Sequence, residues 1–286
     1  MITITAASSQ FGRAVLDELL SGGSSPESIV ATARETTSLS TYADRGVQVR
    51  FADYEDAGSL DAAFHDLDRL LLISSNSPAA QAAQHANVVE AAKRANATEI
   101  VYTSYLNADT SGIQMAQPHA ETEQIIRGSG IPFAFLRNGS YIENSAGFVG
   151  FWVQYGEAVG SAGDGLISGA ARKDLAIAAA RVIAGDVVNG EVYELGGSDY
   201  TMQDLVTVAA ELSGKPITYN NLPKEAYAGV LVSGGLPEGL AAAIADNNAG
   251  AARGAWKTTS TALTDILGRP TTPPREVFAQ ALEHLK

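Results

Sequence analysis

The segment Thr5-Ala6-Ala7-Ser8-Ser9-Gln10-Phe11-Gly12 lies between an aliphatic run and a stretch of helical period, and it keeps the G-x-x-G-x-x-G spacing of a dinucleotide-phosphate turn. In such a turn one glycine allows the tight bend, the next lets the backbone approach the pyrophosphate, and the third lets the helix pack closely on the strand. Only Gly12 is glycine here, and Ala6 and Ser9 hold the other two places. Alanine at the first place is tolerable if its φ stays negative, because only a methyl group is added. Ser9 can crowd a phosphate or hydrogen-bond to it, and helix N-terminal N–H groups are on offer in either case. The same residues also read as an ordinary strand-to-helix turn with Ser8 or Ser9 as N-cap.

Arg34 follows the next aliphatic run in Val30-Ala31-Thr32-Ala33-Arg34, where an acidic side chain would hold a ribose 2′-hydroxyl and an arginine accommodates a 2′-phosphate. Glu35 comes one residue too late, so the expected cofactor is NADPH rather than NADH. Asp53, in Ala52-Asp53-Tyr54, stands where a side chain reaches an adenine ring, or else begins a turn. Ser74, Ser75 and Asn76 follow the run Leu70-Leu71-Leu72-Ile73 at the expected crevice rim, though small polar residues there are also ordinary loop chemistry. His119 has Glu123 one helical turn on, a spacing that lets the carboxylate orient the ring, or that makes a solvated surface pair.

These residues need a scaffold, and the chain supplies a repeating one. Runs at Met1–Thr5, Ile29–Thr32, Val47–Phe51, Leu70–Ile73, Ile100–Thr103 and Phe133–Leu136 alternate with helical segments such as Phe11–Leu20, Ala79–Ala95 and Pro118–Arg127. Six strands with helical crossovers predict an α/β fold, a Rossmann-type doubly wound parallel sheet whose ligand crevice lies at the carboxyl ends of the strands. The second half differs. A helix is expected over Asp174–Ile183, a late strand over Glu191–Leu195 returning to the sheet, and helices punctuated by proline from Thr201 on. The expected division is a nucleotide-binding domain over 1–150 and a smaller, mainly helical C-terminal lobe over 151–286, with the Gly-rich stretch Gly156–Gly169 as the joining loop.

Composition narrows the function classes. The 286 residues carry 19 Lys+Arg against 32 Asp+Glu, a formal charge of −13, with 45% hydrophobic residues and no cysteine. This excludes general disorder, a disulfide scaffold and a thiol nucleophile. Without clustered Lys and Arg, nucleic acid is not an expected partner. No apolar run reaches the roughly 18 residues that span a bilayer, and the N-terminus lacks a positive n-region, so a cytoplasmic protein without a membrane partner is expected. His65, His85, His119 and His284 form no ligand motif, and no metal is expected.

The chain resembles the NmrA-like group of atypical short-chain dehydrogenase/reductases, and within it the bacterial NADPH-dependent quinone and triphenylmethane reductases. The resemblance is carried by Met1–Leu20, Ala52-Asp53-Tyr54, Leu71-Leu72-Ile73-Ser74-Ser75, Gln84-His85-Ala86-Asn87-Val88-Val89, Tyr102-Thr103-Ser104 and His119-Ala120-Glu121-Thr122-Glu123. It continues through Gly130-Ile131-Pro132, Leu136-Arg137-Asn138-Gly139-Ser140-Tyr141, Ala162-Gly163-Asp164-Gly165, Val192-Tyr193-Glu194-Leu195, Ser213-Gly214-Lys215 and Gly235-Leu236-Pro237. It implies hydride transfer from NADPH to a quinone or similar electrophile in a cleft. Ala6, Ala7, Ser8, Ser9, Gln10 and Phe11 would cradle the pyrophosphate and Arg34 the 2′-phosphate. Ser74 and Ser75 would line the cofactor channel, and Asn138, Gly139, Ser140 and Tyr141 would sit beside the nicotinamide. His119 stands where related isoflavone-reductase-like enzymes carry a lysine, and with an ordinary pKa near 6.5 it could give a proton or hydrogen bond to the reduced oxygen. Tyr102 reads as core, Tyr141 and Phe148 as pocket walls, and Arg172 and Asp174 as loop-fixing residues. The expected partner is a small-molecule substrate, with a homodimer left open. Two alternatives also remain open: a redox-sensing regulator that binds NADP(H) without turnover, and an isomerase or cyclase that has lost hydride chemistry.

Overall fold

The computed structural model describes residues 1–185 and 189–284. In chain order its first half runs β1 (Ile2–Ile4), α1 (Gln10–Ser21), β2 (Ile29–Ala33), α2 (Ser40–Ala43), β3 (Gln48–Phe51), α3 (Ala57–Ala63), β4 (Arg69–Leu72), α4 (Gln81–Arg94), β5 (Glu99–Tyr105), α5 (Gln117–Ser129) and β6 (Phe133–Asn138). The second half runs α6 (Ile142–Ala146), α7 (Val149–Tyr155), β7 (Glu157–Gly160), β8 (Ile167–Ser168), α8 (Arg172–Ala184), β9 (Glu191–Leu195), β10 (Asp199–Tyr200), α9 (Met202–Ser213), β11 (Thr218–Asn221), α10 (Lys224–Ser233), α11 (Glu238–Ala249), α12 (Ala262–Leu267) and α13 (Pro274–Glu283).

The main sheet has seven strands in the order β3-β2-β1-β4-β5-β6-β9. β1 is the third strand in that order, an interior strand pairing in parallel with β2 (Ile2 opposite Ile29) and with β4 (Ile2 opposite Arg69). All five residues of β2 and the last three of β4 are buried, the uniform apolar run of a strand covered on both faces. Strand order reverses between β1 and β4, which makes the carboxyl ends of β1, β2 and β4 the natural place for a ligand. The late strand takes its expected span and joins the sheet beside β6. Tyr102, expected as core, is fully buried among Leu70, Leu72, Val88, Ile100 and Phe135.

Two compact units divide the chain, but a single cut after residue 150 does not describe them. Unit 1 comprises Met1–Tyr105, Pro118–Asn138 and Leu175–Tyr193, and unit 2 comprises Leu106–Gln117, Gly139–Asp174 and Glu194–Lys286. The reason is topological: β9 completes the sheet, so the helix leading to it must belong with the sheet as well. Within unit 2, the stretch expected as a joining loop contains β7 and β8. These pair in parallel with β11 and antiparallel with β10. Strands of two and four residues are too short to show a period.

Candidate functional site

The turn after β1 is tighter than expected. Ala6 adopts φ +46°, against the negative value anticipated for it, and is one of three non-glycine residues among those described with positive φ. The Ala6 carbonyl accepts from the N–H of Ser9 at 3.0 Å, and the Ala7 N–H donates to the Thr32 carbonyl at 2.9 Å, which together force the bend. Ser9 is the N-cap of α1, its Oγ accepting from the Gly12 N–H at 3.0 Å. Gly12 has no room for a side chain, because a Cβ there would lie 2.7 Å from both the Ala6 carbonyl oxygen and Ala7 Cα. Gly12→Ala therefore costs about 1–3 kcal/mol of stability, read as a lower denaturation midpoint. Ala6→Gly relieves the left-handed strain and adds about 0.5–1 kcal/mol of stability, read as a higher midpoint.

A cleft of about 350 Å³ in unit 1 opens beside this turn at the carboxyl ends of β1, β2 and β4. Its walls bring together Ala6, Ser8, Ser9, Arg34, Asp53, Ser74, Ser75 and Asn76, with Glu35, Tyr54, Ser77 and Gln84 beside them. Arg34 is exposed, and among the described residues it makes no hydrogen bond or ion pair. Glu35 is turned aside as the cap of the next helical turn, accepting from Thr37 Oγ1 at 2.6 Å. Asp53 faces the cleft and also begins a turn, its Oδ1 accepting from the Glu55 N–H at 3.0 Å. Ala7 and Phe11 turn their side chains into the core, so only their main chain could meet a ligand, while Gln10 is exposed at the first position of α1.

The rim after β4 is held from behind by groups the sequence reading did not single out. The Ser74 N–H donates to Thr103 Oγ1 at 2.9 Å, and the Ser75 N–H donates to His85 Nε2 at 3.0 Å. His85 is fully buried, and burial pushes its imidazole down to about 3, so it is neutral. A signal for it exists: His85 shares a helical stripe with Val88, Val89 and Ala92, a polar residue on a face otherwise built for the core.

His119 and Glu123 do not form the expected pair. Glu123 is buried and accepts two hydrogen bonds from Arg137, Nε to Oε1 at 2.9 Å and Nη2 to Oε2 at 2.7 Å, with the Ser104 hydroxyl donating at 2.6 Å. The buried guanidinium competes far better for the carboxylate than a neutral imidazole could. The partner of His119 is the Tyr102 hydroxyl, 2.8 Å from Nδ1. Burial pushes the Tyr102 phenol well above its ordinary range and the His119 imidazole down to about 4. Gln81 donates to the same hydroxyl at 3.4 Å, and when the hydroxyl donates to Nδ1 the neutral His119 ring carries its own hydrogen on Nε2. The ring is therefore a neutral donor at pH 7, not the imidazolium that a pKa near 6.5 would make available.

The last group of expected contacts falls on both sides of the division. Asn138 ends β6 in unit 1 and is buried, whereas Gly139, Ser140 and Tyr141 belong to unit 2. Gly139 has a packing reason of its own, since a Cβ would lie 2.5 Å from the Ser168 carbonyl oxygen. Ser140 lines a second pocket of about 490 Å³ with Phe148, Trp152, Tyr155 and Tyr227. Tyr141 carries the Arg172 guanidinium 5.2 Å above its ring. Arg172 and Asp174 fix loops as expected: the Arg172 N–H is held by Glu143, and buried Asp174 accepts from Arg269 and Thr272.

A family described as NAD(P)H-binding matches residues 6–186. Quinone oxidoreductase 2 of Escherichia coli is 41% identical over 286 residues, covering 100% of this chain and 98% of the relative. The crystal structure of the E. coli NADPH-dependent quinone oxidoreductase in complex with NADPH superposes with a TM-score of 0.95 at 40% identity over 100% of both chains. The Citrobacter sp. triphenylmethane reductase complexed with NADP(H) gives 0.92 at 34% identity over 98% of this chain and 100% of its own. An NmrA-like family domain-containing oxidoreductase of Aspergillus flavus is 31% identical over 88% of this chain and 85% of its own. With a turn, a cleft and a whole-length likeness in agreement, the chain belongs to the NAD(P)H-binding, NmrA-like short-chain dehydrogenase/reductase family.

Proposed function

We propose that this protein is an NADPH-dependent reductase that delivers hydride to a quinone or a similarly electrophilic small molecule. The observation that carries the reading is Arg34: an exposed cation without a partner among the described residues, on the wall of a cleft that also holds the capped start of α1. Those residues fit the cofactor. The N-terminal turn of α1 favours a pyrophosphate, Arg34 a 2′-phosphate, and Asp53 with Tyr54 the adenosine end. In a chain of formal charge −13 the attraction must be local, since the long-range field repels an anionic ligand. When bound, NADPH supplies two electrons as hydride, and one solvent proton completes the reduction of a quinone to a hydroquinone.

His119 is assigned as a hydrogen-bond donor to the acceptor oxygen through Nε2–H, held in that tautomer by Tyr102. Because the imidazole is neutral down to about pH 4, His119 contributes no limb to the pH–rate profile between pH 5.5 and 8. His119→Phe lowers kcat/KM by about tenfold without changing that profile. A limb near pH 6.5 in the wild type that disappears in the variant overturns the assignment.

The deciding assay follows NADPH oxidation against a panel of quinones, dyes and enones. Arg34→Ala raises KM for NADPH by about 10- to 100-fold and leaves KM for NADH nearly unchanged, the loss expected for charge-assisted hydrogen bonds to one phosphate. Equal effects on the two cofactors remove Arg34 from the 2′-phosphate. Saturable NADPH binding with no turnover on any acceptor makes the protein a regulator instead.

A further inference from the structure

We infer that His85 is a positioning residue for the cofactor cleft, fixing the main chain of Ser75 through its Nε2 while its Nδ1–H is anchored on Thr122. The inference rests on the NADPH reading of that cleft. The rim Ile73–Ser77 has no regular secondary structure, yet two consecutive N–H groups in it are taken by buried acceptors: Ser74 by Thr103 Oγ1 and Ser75 by His85 Nε2. The order of the remaining hydrogens follows. Thr122 Oγ1 donates to the Pro118 carbonyl at 2.8 Å, so at 2.9 Å from His85 Nδ1 it must accept, which puts the ring hydrogen on Nδ1 and leaves Nε2 as an acceptor. Tyr54 and Tyr102 pack edge-on against the ring, with centroids 6.0 and 5.4 Å away, and restrict its movement. Its neutrality at working pH keeps Nε2 free of a proton.

An apolar side chain here would leave the Ser75 N–H inside the protein without an acceptor. The rim would then shift to find one. Ser75 also reaches across the cleft wall, its hydroxyl donating to Gln84 Oε1 at 2.5 Å while Gln84 Nε2 donates to Glu55 at 2.8 Å, so a displaced Ser75 moves that wall too. His85 touches neither cofactor nor substrate in this account. It acts through the Ser75 backbone.

The test uses the full-length protein with NADPH and 1,4-benzoquinone and compares His85→Leu, His85→Gln and Thr122→Val, each checked for an intact melting transition. His85→Leu and Thr122→Val raise KM for NADPH by about 5- to 10-fold while kcat and KM for the quinone stay within about twofold of wild type. Thr122→Val is the isosteric variant, carrying the test should His85→Leu fail to fold: it leaves the buried Nδ1–H without an acceptor, so the ring shifts to find one and draws Nε2 away from the Ser75 N–H. His85→Gln, which keeps an acceptor and a donor on one planar group, restores KM to within about twofold. Unmoved KM for NADPH in folded variants overturns the inference, as does a parallel loss of kcat and both KM values that Gln does not rescue. A wild type without saturable NADPH binding overturns the cleft reading and this inference with it, whereas a saturable wild type beside unmoved variants overturns this inference alone.

Discussion

Acidification from pH 6.5 to pH 4 is expected to strip this protein of stability by up to about 2.7 kcal/mol per pH unit, 1.36 from each of two histidines. His85 and His119 are held neutral by burial, with pKa values lowered to about 3 and about 4 from an ordinary 6.5. Between those limits the unfolded chain binds protons that the folded chain refuses. The contribution is therefore fully present above about pH 6.5, falls as pH falls, and levels off only below about pH 4 for His119 and pH 3 for His85. Carboxylates with lowered values, such as Asp66 beside Arg50, push in the same direction but only below about pH 4, so the interval from pH 7 to pH 5 isolates the histidines. Urea midpoints at pH 7, 6 and 5 read the slope directly, and His85→Gln should remove about half of it. A midpoint that is flat across this interval would mean that both rings protonate freely in the folded state.

How far the chain could be read without coordinates depends on which physical signals are local. The strand Leu70–Leu72 and the helix from Gln10 declare themselves because burial on both faces and a 3.6-residue period are written into consecutive residues. The place of Arg34, directly after β2 and on the cleft wall, was legible for the same reason. The Ala6 backbone was not, because positive φ there is imposed by two main-chain hydrogen bonds, one of them to β2, that no residue type announces. Glu123 misled for a comparable reason. Its helical neighbour His119 is visible at four residues' distance, whereas Arg137 and Ser104, which hold it, are brought close only by the sheet. The interleaved units have the same origin, as the return of β9 is a fact of topology rather than of sequence order.

That misread carboxylate leads to the largest single-residue effect on stability. Arg137→Ala is expected to cost about 3–5 kcal/mol, because among the described residues it leaves the buried Glu123 carboxylate only the Ser104 hydroxyl and the partly exposed Arg127, 3.5 Å away, to offset its charge. Arg137 at the end of β6, Ser104 on β5 and Glu123 on α5 tie the helix to two strands, so the same change frees the helix that carries His119 and should lower turnover as well. The pair itself need not be a net source of stability, since desolvating two charges offsets most of their attraction. Glu123→Leu combined with Arg137→Met should therefore recover most of the loss, leaving the double variant closer to wild type than either single one. Denaturation midpoints of wild type, Glu123→Leu, Arg137→Met and the double variant close the cycle. Additive losses would show that the two side chains act separately, and an Arg137→Ala variant as stable as wild type would show that the carboxylate takes up a proton or reaches water at no cost.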